Sequence, residues 1–274
     1  MIPSSMHRLR LTLLALPFAV TPVFAQEQNG TKEPPRISDN SFLVEEAYNQ
    51  EAGVVQHISN FRRARDGTWL FTFTQEWPAP SQKHQLSYTL PILSAGHGTG
   101  VGDVVLNYRY QLLGHDESRV WFSPRMSLLL ATGNPSADRG LGGPGVQVNL
   151  PLSLEVTSRL VTHWNAGGTA TRARDVQGTR RTLRGLNAAA SAIWLLAPTL
   201  NLMLESTWER AESFDPAERT SAHELFTLMP GIRGAINFSS GMQIVPGIGV
   251  PFATSGGQTE RALFLYFSVE HSFR

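Results

Sequence analysis

Two groups of residues in this chain could do chemistry: a closely spaced histidine and serine, and a set of charged side chains inside apolar segments. His57 and Ser59 are two positions apart. A β-strand would therefore carry both on one face, where a histidine base could activate a serine hydroxyl. Neither a flanking glycine nor an evident third partner accompanies the pair. The spacing is expected to be a chance occurrence, and no enzymatic activity is expected from it.

The charged and amide residues recur at every second position between apolar residues. Such a pattern suits strands that have lipid on one side and the lumen of a barrel on the other. An arginine that faces the lipid midplane costs about 2–4 kcal/mol, whereas a side chain in the lumen can keep water or a partner. These residues should therefore face a lumen, where opposite charges would either line a narrow polar pore or pair and close it. The candidates for the lumen lining or its constriction are Asp103, Asn107, Arg109, Arg125, Asn149, Glu155, Glu205, Arg233 and Glu270. The histidines lack metal-ligand spacing, so neither a metal nor another cofactor is expected.

The elements that must position these residues are β-strands with two different faces. Between residues 146 and 156, every second residue is aliphatic and most of the others are polar, which is the period of a strand. Most such segments exceed the usual 5 or 6 residues and suit the about 9 to 11 of a strand tilted across a membrane. Twelve segments follow this pattern: 53–62, 68–76, 84–93, 102–113, 119–131, 145–156, 160–170, 183–196, 199–208, 224–236, 242–252 and 261–273.

The connections between these segments alternate in length. Short connections lie at 77–83, 114–118, 157–159, 198 and 237–241, and longer ones at 94–101, 132–144, 171–182, 209–223 and 253–260. The first connection, 63–67, is a short exception. Short periplasmic turns that alternate with longer outer loops are typical of outer-membrane barrels. The predicted fold class is therefore all-β, a membrane-spanning antiparallel up-and-down β-barrel of about 12 strands.

The first 25 residues have the three parts of a cleavable signal peptide. His7, Arg8 and Arg10 form a basic start, residues 11–20 are apolar, and Ala25 is a small residue before the expected cleavage. Its removal would take away two arginines and no acidic residue, which lowers the formal charge from +1 to −1. A chain with this charge is not expected to bind nucleic acid.

The remaining chain divides into two parts. Residues 51–274 form the predicted barrel, and residues 26–50 form a periplasmic N-terminal segment. This segment is expected either to fold into the periplasmic mouth as a partial plug or to hang free. At the other end, Phe267, Val269 and Phe273 belong to an alternating segment that resembles the C-terminal signal read by the barrel assembly machinery. That machinery, outer-membrane lipids and lipopolysaccharide are the expected partners.

Three segments resemble one known family of Gram-negative outer-membrane proteins. They are 41–51 (SFLVEEAYNQE), 82–91 (QKHQLSYTLP) and 100–110 (GVGDVVLNYRY). They are similar to segments of the barrels assigned to a putative meta-pathway of phenol degradation, with similarity from about residue 38 to the end. The resemblance implies an outer-membrane transporter for aromatic or other small hydrophobic compounds. It carries over no catalytic residues.

The function expected from these observations is a passive, narrow outer-membrane channel for a small-molecule solute. The alternative is a closed barrel with a structural or surface-interaction role carried by the loops at 132–144 and 209–223. A third alternative rests on residues 57–60 (HISN), which match the His-x-Ser-Asn run of outer-membrane phospholipase A and of lipid A deacylases. Four residues are too few to favour a lipid hydrolase.

Overall fold

The computed structural model describes residue 37 and residues 41–95, 98–115, 118–174, 178–214 and 220–273. The predicted signal peptide, 1–25, lies outside the described residues. In the described part of the chain, one 3-10 turn at Pro135–Ala137 is the only regular structure other than β-strand. No helix in that part has the length and apolar character needed to cross a membrane.

Twelve spans, built from seventeen strand segments, make up the fold. The segments are β1 (Val54–Ala64), β2 (Trp69–Pro78), β3 (His84–Ala95), β4 (Gly98–Val101), β5 (Val105–Tyr110), β6 (Val120–Phe122), β7 (Arg125–Leu129), β8 (Gly145–Asn149), β9 (Leu152–Thr157), β10 (Leu160–Arg174), β11 (Arg180–Ala197), β12 (Leu200–Phe214), β13 (Thr220–Gly234), β14 (Ile236–Asn237), β15 (Gln243–Gly249), β16 (Phe252–Ser255) and β17 (Gln258–Ser272). The pairs β4–β5, β6–β7, β8–β9, β13–β14 and β15–β16 each form one interrupted span.

The sheet closes on itself through its first and last strands. β1 pairs antiparallel with β2 on one side and with β17 on the other, from Val54 opposite Ser272 to Ala64 opposite Ala262. The other spans pair with their neighbours in sequence. Closure satisfies the backbone hydrogen bonds at what would otherwise be two open edges, which a membrane-spanning sheet requires. The predicted twelve-stranded antiparallel barrel is confirmed.

Three of the interrupted spans break at a proline. Pro124 separates β6 from β7, Pro151 separates β8 from β9, and Pro251 separates β15 from β16. A proline has no N–H to donate, so the ladder loses a hydrogen bond at each position. The sequence pattern treated the segments that contain Pro124 and Pro151 as continuous, because side-chain alternation carries on through both residues.

The two faces of the wall differ as the alternation predicts. On β5, β7 and β8, Leu106, Met126 and Val148 are 43%, 62% and 49% exposed on the outer surface. Their neighbours Asn107 and Asn149 are buried on the inner side. An apolar outer face and a polar inner face suit a barrel with lipid outside it.

Four connections predicted as long loops are mostly strand. The hairpins β3–β4, β10–β11, β12–β13 and β16–β17 extend well into 94–101, 171–182, 209–223 and 253–260. This part of the loop prediction was wrong. Outside the membrane a hairpin needs no apolar face, so its polar strands lack the alternation from which strands were predicted. These hairpins project from one end of the barrel, which we call the hairpin end; the opposite end, with the short turns, is the short-turn end.

Candidate functional site: a chain segment inside the barrel

Residues 41–50, which we call the lumen segment, lie inside the barrel without regular secondary structure. Val44, Glu46 and Ala47 are at most 1% exposed, and Phe42 is 5% exposed. An extended segment with no strand beside it must find other partners for its buried backbone groups. Those partners are side chains that the barrel wall directs inward.

Six backbone N–H groups of the lumen segment donate hydrogen bonds to inward side chains. Phe42 and Leu43 donate to the Glu205 carboxylate (2.9 and 2.6 Å), Glu45 to Asn165 Oδ1 (2.9 Å), Ala47 to Ser153 Oγ (2.7 Å), Asn49 to Gln111 Oε1 (3.0 Å) and Gln50 to Gln85 Oε1 (2.8 Å). The acceptors come from strands spread around the barrel. The segment is therefore held from several sides.

Arg109, an inward residue of β5, makes the most contacts with the segment. Its Nε donates to Asn49 Oδ1 (2.9 Å), and its Nη2 donates to the carbonyl of Tyr48 (2.8 Å). Its Nη1 donates to the carbonyl of Glu46 (2.9 Å) and to the carboxylate of Glu45 (3.1 Å). The side chain is almost completely buried. The planar guanidinium, with its five donors, thus binds charge and backbone at the same time.

Glu45 links the segment to a second arginine. Its carboxylate lies 3.3 Å from Arg125 Nε and accepts a hydrogen bond from Asn149 Nδ2 (2.8 Å). Its backbone carbonyl accepts from Asn165 Nδ2 (2.8 Å). Two lumen arginines, Arg109 and Arg125, are therefore neutralised in part by a carboxylate that belongs to the segment and not to the barrel wall.

Ala47 is held between two serine hydroxyls. Ser153 Oγ accepts from the Ala47 N–H, and Ser123 Oγ donates to the Ala47 carbonyl. Ser153 Oγ also lies 2.7 Å from Nδ1 of the buried His163. The serine hydroxyl is thus placed to donate to His163 Nδ1 while it accepts from the segment, an orientation that follows from the two contacts.

The N-terminal end of the segment, at Phe42, is fixed by apolar packing. The Phe42 ring lies 5.5 Å from Phe264 and 5.2 Å from Tyr266, between ring centroids. Two wall glycines make room for it, since a Cβ on Gly231 or Gly247 would come within 2.5 or 2.6 Å of the ring. Phe42 therefore depends on the absence of side chains at these two positions.

A leucine at Gly247 is expected to displace the Phe42 ring while the barrel still folds. Overpacking of this kind costs about 1–3 kcal/mol. Phe42 belongs to a segment outside the sheet, so its ring can move where the strand backbone cannot. Limited proteolysis of the folded barrel should then cut within 41–50 faster than in the parent. Gly234→Leu is the matched control, because a Cβ at Gly234 has ordinary clearance. Unchanged proteolysis in Gly247→Leu would contradict this packing.

The lumen segment separates two cavities. The first, which we call the hairpin-end chamber, has a volume of about 400 Å³ and is lined by Leu43, Glu45 and Arg125 among others. The second measures about 610 Å³ and is lined by Tyr48, Asn49 and residues of the short turns. No residue lines both. A solute that follows the barrel axis would therefore meet the segment between them.

Comparison with known proteins gives matches in structure alone. No family model matches the chain, and no curated protein is similar to it in sequence. An outer membrane channel from Pseudomonas putida F1 superposes with a TM-score of 0.60 at 12% identity, over 83% of this chain and 98% of that one. The NanC porin superposes with a TM-score of 0.50 at 10% identity, over 80% and 99%. The likeness shows the fold. The resemblance to phenol-degradation barrels stays a prediction.

The predicted lumen residues fall into three groups in this barrel. Arg109, Arg125, Asn149 and Glu205 contact the lumen segment. Glu155, Arg233 and Glu270 line the cavity at the short-turn end. Asn107 bonds to Ser87 and Ser127 on the neighbouring strands, and Asp103 accepts from the backbone of Gly133 and Leu141 at the hairpin end. Four of the nine predicted residues therefore bind the lumen segment.

Several partners of the segment were not among the predicted candidates. They are the inward residues Gln85, Gln111, Ser123, Ser153 and Asn165. Their signal in the sequence is weak, because an uncharged polar residue on the inner parity is tolerated whether or not it has a ligand. The small serines matter here because they leave space for the segment as well as a hydroxyl to bind it.

His57 and Ser59 lie on the outer face of β1, because their neighbours Gln56 and Ile58 are buried inside. His57 stacks on Phe73 and on His271, with the two histidine Nε2 atoms 3.3 Å apart. The polar contact of the His57 ring is thus with His271 and not with Ser59. On the last strand, Phe267 is exposed on the outer face, as is Phe273 just beyond the strand end, and Val269 is half-buried.

Proposed function

We propose that this protein is a passive outer-membrane channel for small solutes whose axial route is closed by the lumen segment. The observation that carries the proposal is the position of residues 41–50 between two cavities, bound to Arg109 and to side chains around the wall. In this proposal the hairpin end faces the cell exterior and the short-turn end faces the periplasm. Lipopolysaccharide surrounds the former, and the assembly machinery reads Phe267, Val269 and Phe273.

The nature of the contacts supports a removable closure. The segment is bound mainly by hydrogen bonds and ion pairs to polar side chains, and water can replace these once the lumen is wet. It shares no strand ladder with the barrel. The wall, in contrast, is a closed network of backbone hydrogen bonds. Loss of the segment would therefore leave a stable barrel whose bore is polar except for the apolar cluster on which Phe42 packs.

The charges around the lumen segment support a preference for one class of solute. When Glu45 and Glu46 leave with the segment, Arg109 and Arg125 lose the carboxylates that lie 3.1–3.7 Å from their guanidinium nitrogens. Arg109 and Arg125 lie opposite each other on β5 and β7, so the loss of both carboxylates makes this part of the narrow bore more positive and raises the local concentration of anions. We therefore propose small anionic solutes as the class that the open axial route favours.

A reversible staple tests the closure. The hydroxyls of Ser41 and Ser191 lie 3.3 Å apart, so cysteines at both positions are placed to form a disulfide in a chain with no other cysteine. In liposome swelling with small organic anions, the oxidised double variant should be impermeable, and reductant should restore the permeability of the parent protein. Each single cysteine variant is the control. Equal swelling before and after reduction would exclude movement of the segment as the opening step.

A further inference from the structure

A cluster of arginines covers the outer face of the β10–β11 hairpin, beyond the last apolar residues of the wall. Residues 170–184 contain five arginines and one acidic residue. Four of the five arginines are exposed and share the outward parity of Trp164 on β10 and Leu186 on β11. These four, which we call the arginine patch, are Arg172, Arg174, Arg180 and Arg184. The outer surface thus changes here from apolar to strongly basic.

The strand register brings the side chains of the patch together. Arg174 lies opposite Arg180, and Arg172 lies opposite Thr182, with Arg180 and Arg184 as its diagonal neighbours on β11. Side chains directly opposite each other have Cβ atoms about 5 Å apart, and diagonal neighbours are about 7–8 Å apart, a distance that long side chains span. Like charges in such positions destabilise a hairpin. An anion between the guanidinium groups would remove this cost.

The barrel itself supplies the patch with little negative charge. Among the described residues, no carboxylate lies within 4.0 Å of the four guanidinium groups. On the next two strands, the carboxylate of Glu212 accepts from the backbone N–H of Arg184, and that of Glu224 lies 3.9 Å from Arg210. On the side of β8, residues 140–148 contain no charged residue. The patch is therefore open to an anion from outside the protein.

The patch lies at the level of the lipid headgroups. Below it on β11, the outward residues from Trp194 to Leu186 are all uncharged. Arg172 stands about 30 Å above Leu160 at the short-turn end of β10, at about 3.3 Å per residue and a strand tilt of about 40°. The apolar band of an outer-membrane barrel is about 25 Å tall. The guanidinium groups thus lie just outside the hydrocarbon.

We infer that the arginine patch binds the phosphate groups of lipopolysaccharide in the outer leaflet. A guanidinium group binds phosphate through two parallel hydrogen bonds, and neighbouring arginines can share one phosphate. The acyl chains of the same molecule would lie against the small outward residues below the patch, Ala188, Ala190 and Ala192. The site rests on the proposed function only for its orientation, in which the hairpin end faces the cell exterior. It requires no movement of the lumen segment.

Arg172→Gln combined with Arg184→Gln is the test variant. It removes two diagonal neighbours of the patch and leaves polar side chains in their place. Arg65→Gln combined with Arg159→Gln is the matched control, because both arginines are exposed turn residues outside the patch and the loss of charge is the same. None of these four side chains contacts the lumen segment in the described part of the chain.

The probe is lipid A with its phosphate groups, titrated into protein refolded in detergent without lipopolysaccharide, and native mass spectrometry measures the bound lipid. The test variant should bind about tenfold more weakly than the parent, or weaker still, since each lost contact to a charged group is worth about a factor of ten. The control should match the parent. Dephosphorylated lipid A should bind the parent as weakly as phosphorylated lipid A binds the test variant. Heat-modifiable gel migration confirms that each variant is folded.

Equal affinity of the parent and the folded test variant for lipid A would overturn the phosphate site. Equal binding of dephosphorylated lipid A would also overturn it, by showing attachment through the acyl chains alone. Displacement of lipid A by an equal concentration of inorganic phosphate would show a site for free anions and overturn lipopolysaccharide as its ligand. The titration does not depend on an open lumen, so its failure leaves the channel proposal standing. Conductance of a variant without the lumen segment reads that proposal separately.

Discussion

Protein that lacks residues 26–50 is expected to form a steady open channel in planar bilayers, whereas the parent protein stays closed for most of the recording. The deletion removes the lumen segment together with the residues that precede it, and the two cavities of the parent then become one continuous bore. The twelve spans do not depend on the segment for strand pairing. The barrel should therefore assemble, and single-channel current is the measurement.

The current of this open channel should be carried mainly by anions. Glu45 and Glu46 are absent from it, while Arg109 and Arg125 remain on the wall. A reversal potential in a salt gradient should show the preference, and it should shrink when both arginines are changed to glutamine. Deletion of 26–36 alone is the matched control, because it keeps 41–50 together with Ile37, which belongs to the same buried apolar cluster as Phe42, and it should stay closed. A silent channel after the longer deletion would refute closure by this segment.

Arg109→Met in the full-length protein is expected to open the channel for a large fraction of the time. Removal of one partner from a buried ion pair costs about 3 kcal/mol or more, since Glu45 and Glu46 would remain buried with less compensation. That cost destabilises the state in which the segment is bound in the lumen. A difference of about 3 kcal/mol corresponds to about a hundredfold change in the ratio of open to closed channels. The open probability in single-channel recordings measures it directly.

The matched control for this substitution is Arg210→Met. Arg210 is a half-exposed arginine of β12 whose nearest carboxylate, Glu224, lies 3.9 Å away at the surface. Loss of an exposed pair changes stability by about 1 kcal/mol or less, so its open probability should match that of the parent. A double variant, Arg109→Met with Glu45→Gln, should partly restore closure. Equal open probabilities in Arg109→Met and the parent would show that Arg109 does not hold the segment.

The barrel could be predicted from the sequence because the membrane imposes a strict rule on its strands. A residue such as Val148 must be apolar outside, and its neighbour Asn149 can be polar inside, so the alternation reports the faces directly. β1 breaks this pattern. Ile58 faces inward because it belongs to the same buried apolar cluster as Phe42, and His57 faces outward. The orientation of His57 therefore could not be derived from alternation.

The partners of the lumen segment could not be predicted for a different reason. Residues 41–50 have no periodicity, and their contacts are set by where distant strands meet in the closed barrel. Ala47, for example, lies between Ser123 and Ser153, and Arg109 reaches four residues of the segment. The sequence identified Arg109 as an inward charge. The residues that Arg109 binds could not be predicted, because only the closure of the barrel brings the segment beside it.

The burial of Ala47 offers the most direct test that the segment occupies the lumen. A single cysteine at Ala47, in the folded protein, should react with a bulky maleimide far more slowly than a cysteine at the exposed Thr259, because Ala47 is 0% exposed. Both should react equally after denaturation. Rapid labelling at position 47 in the folded barrel, at the rate of position 259, would show that residues 41–50 lie outside the lumen and would contradict the closure proposed for this channel.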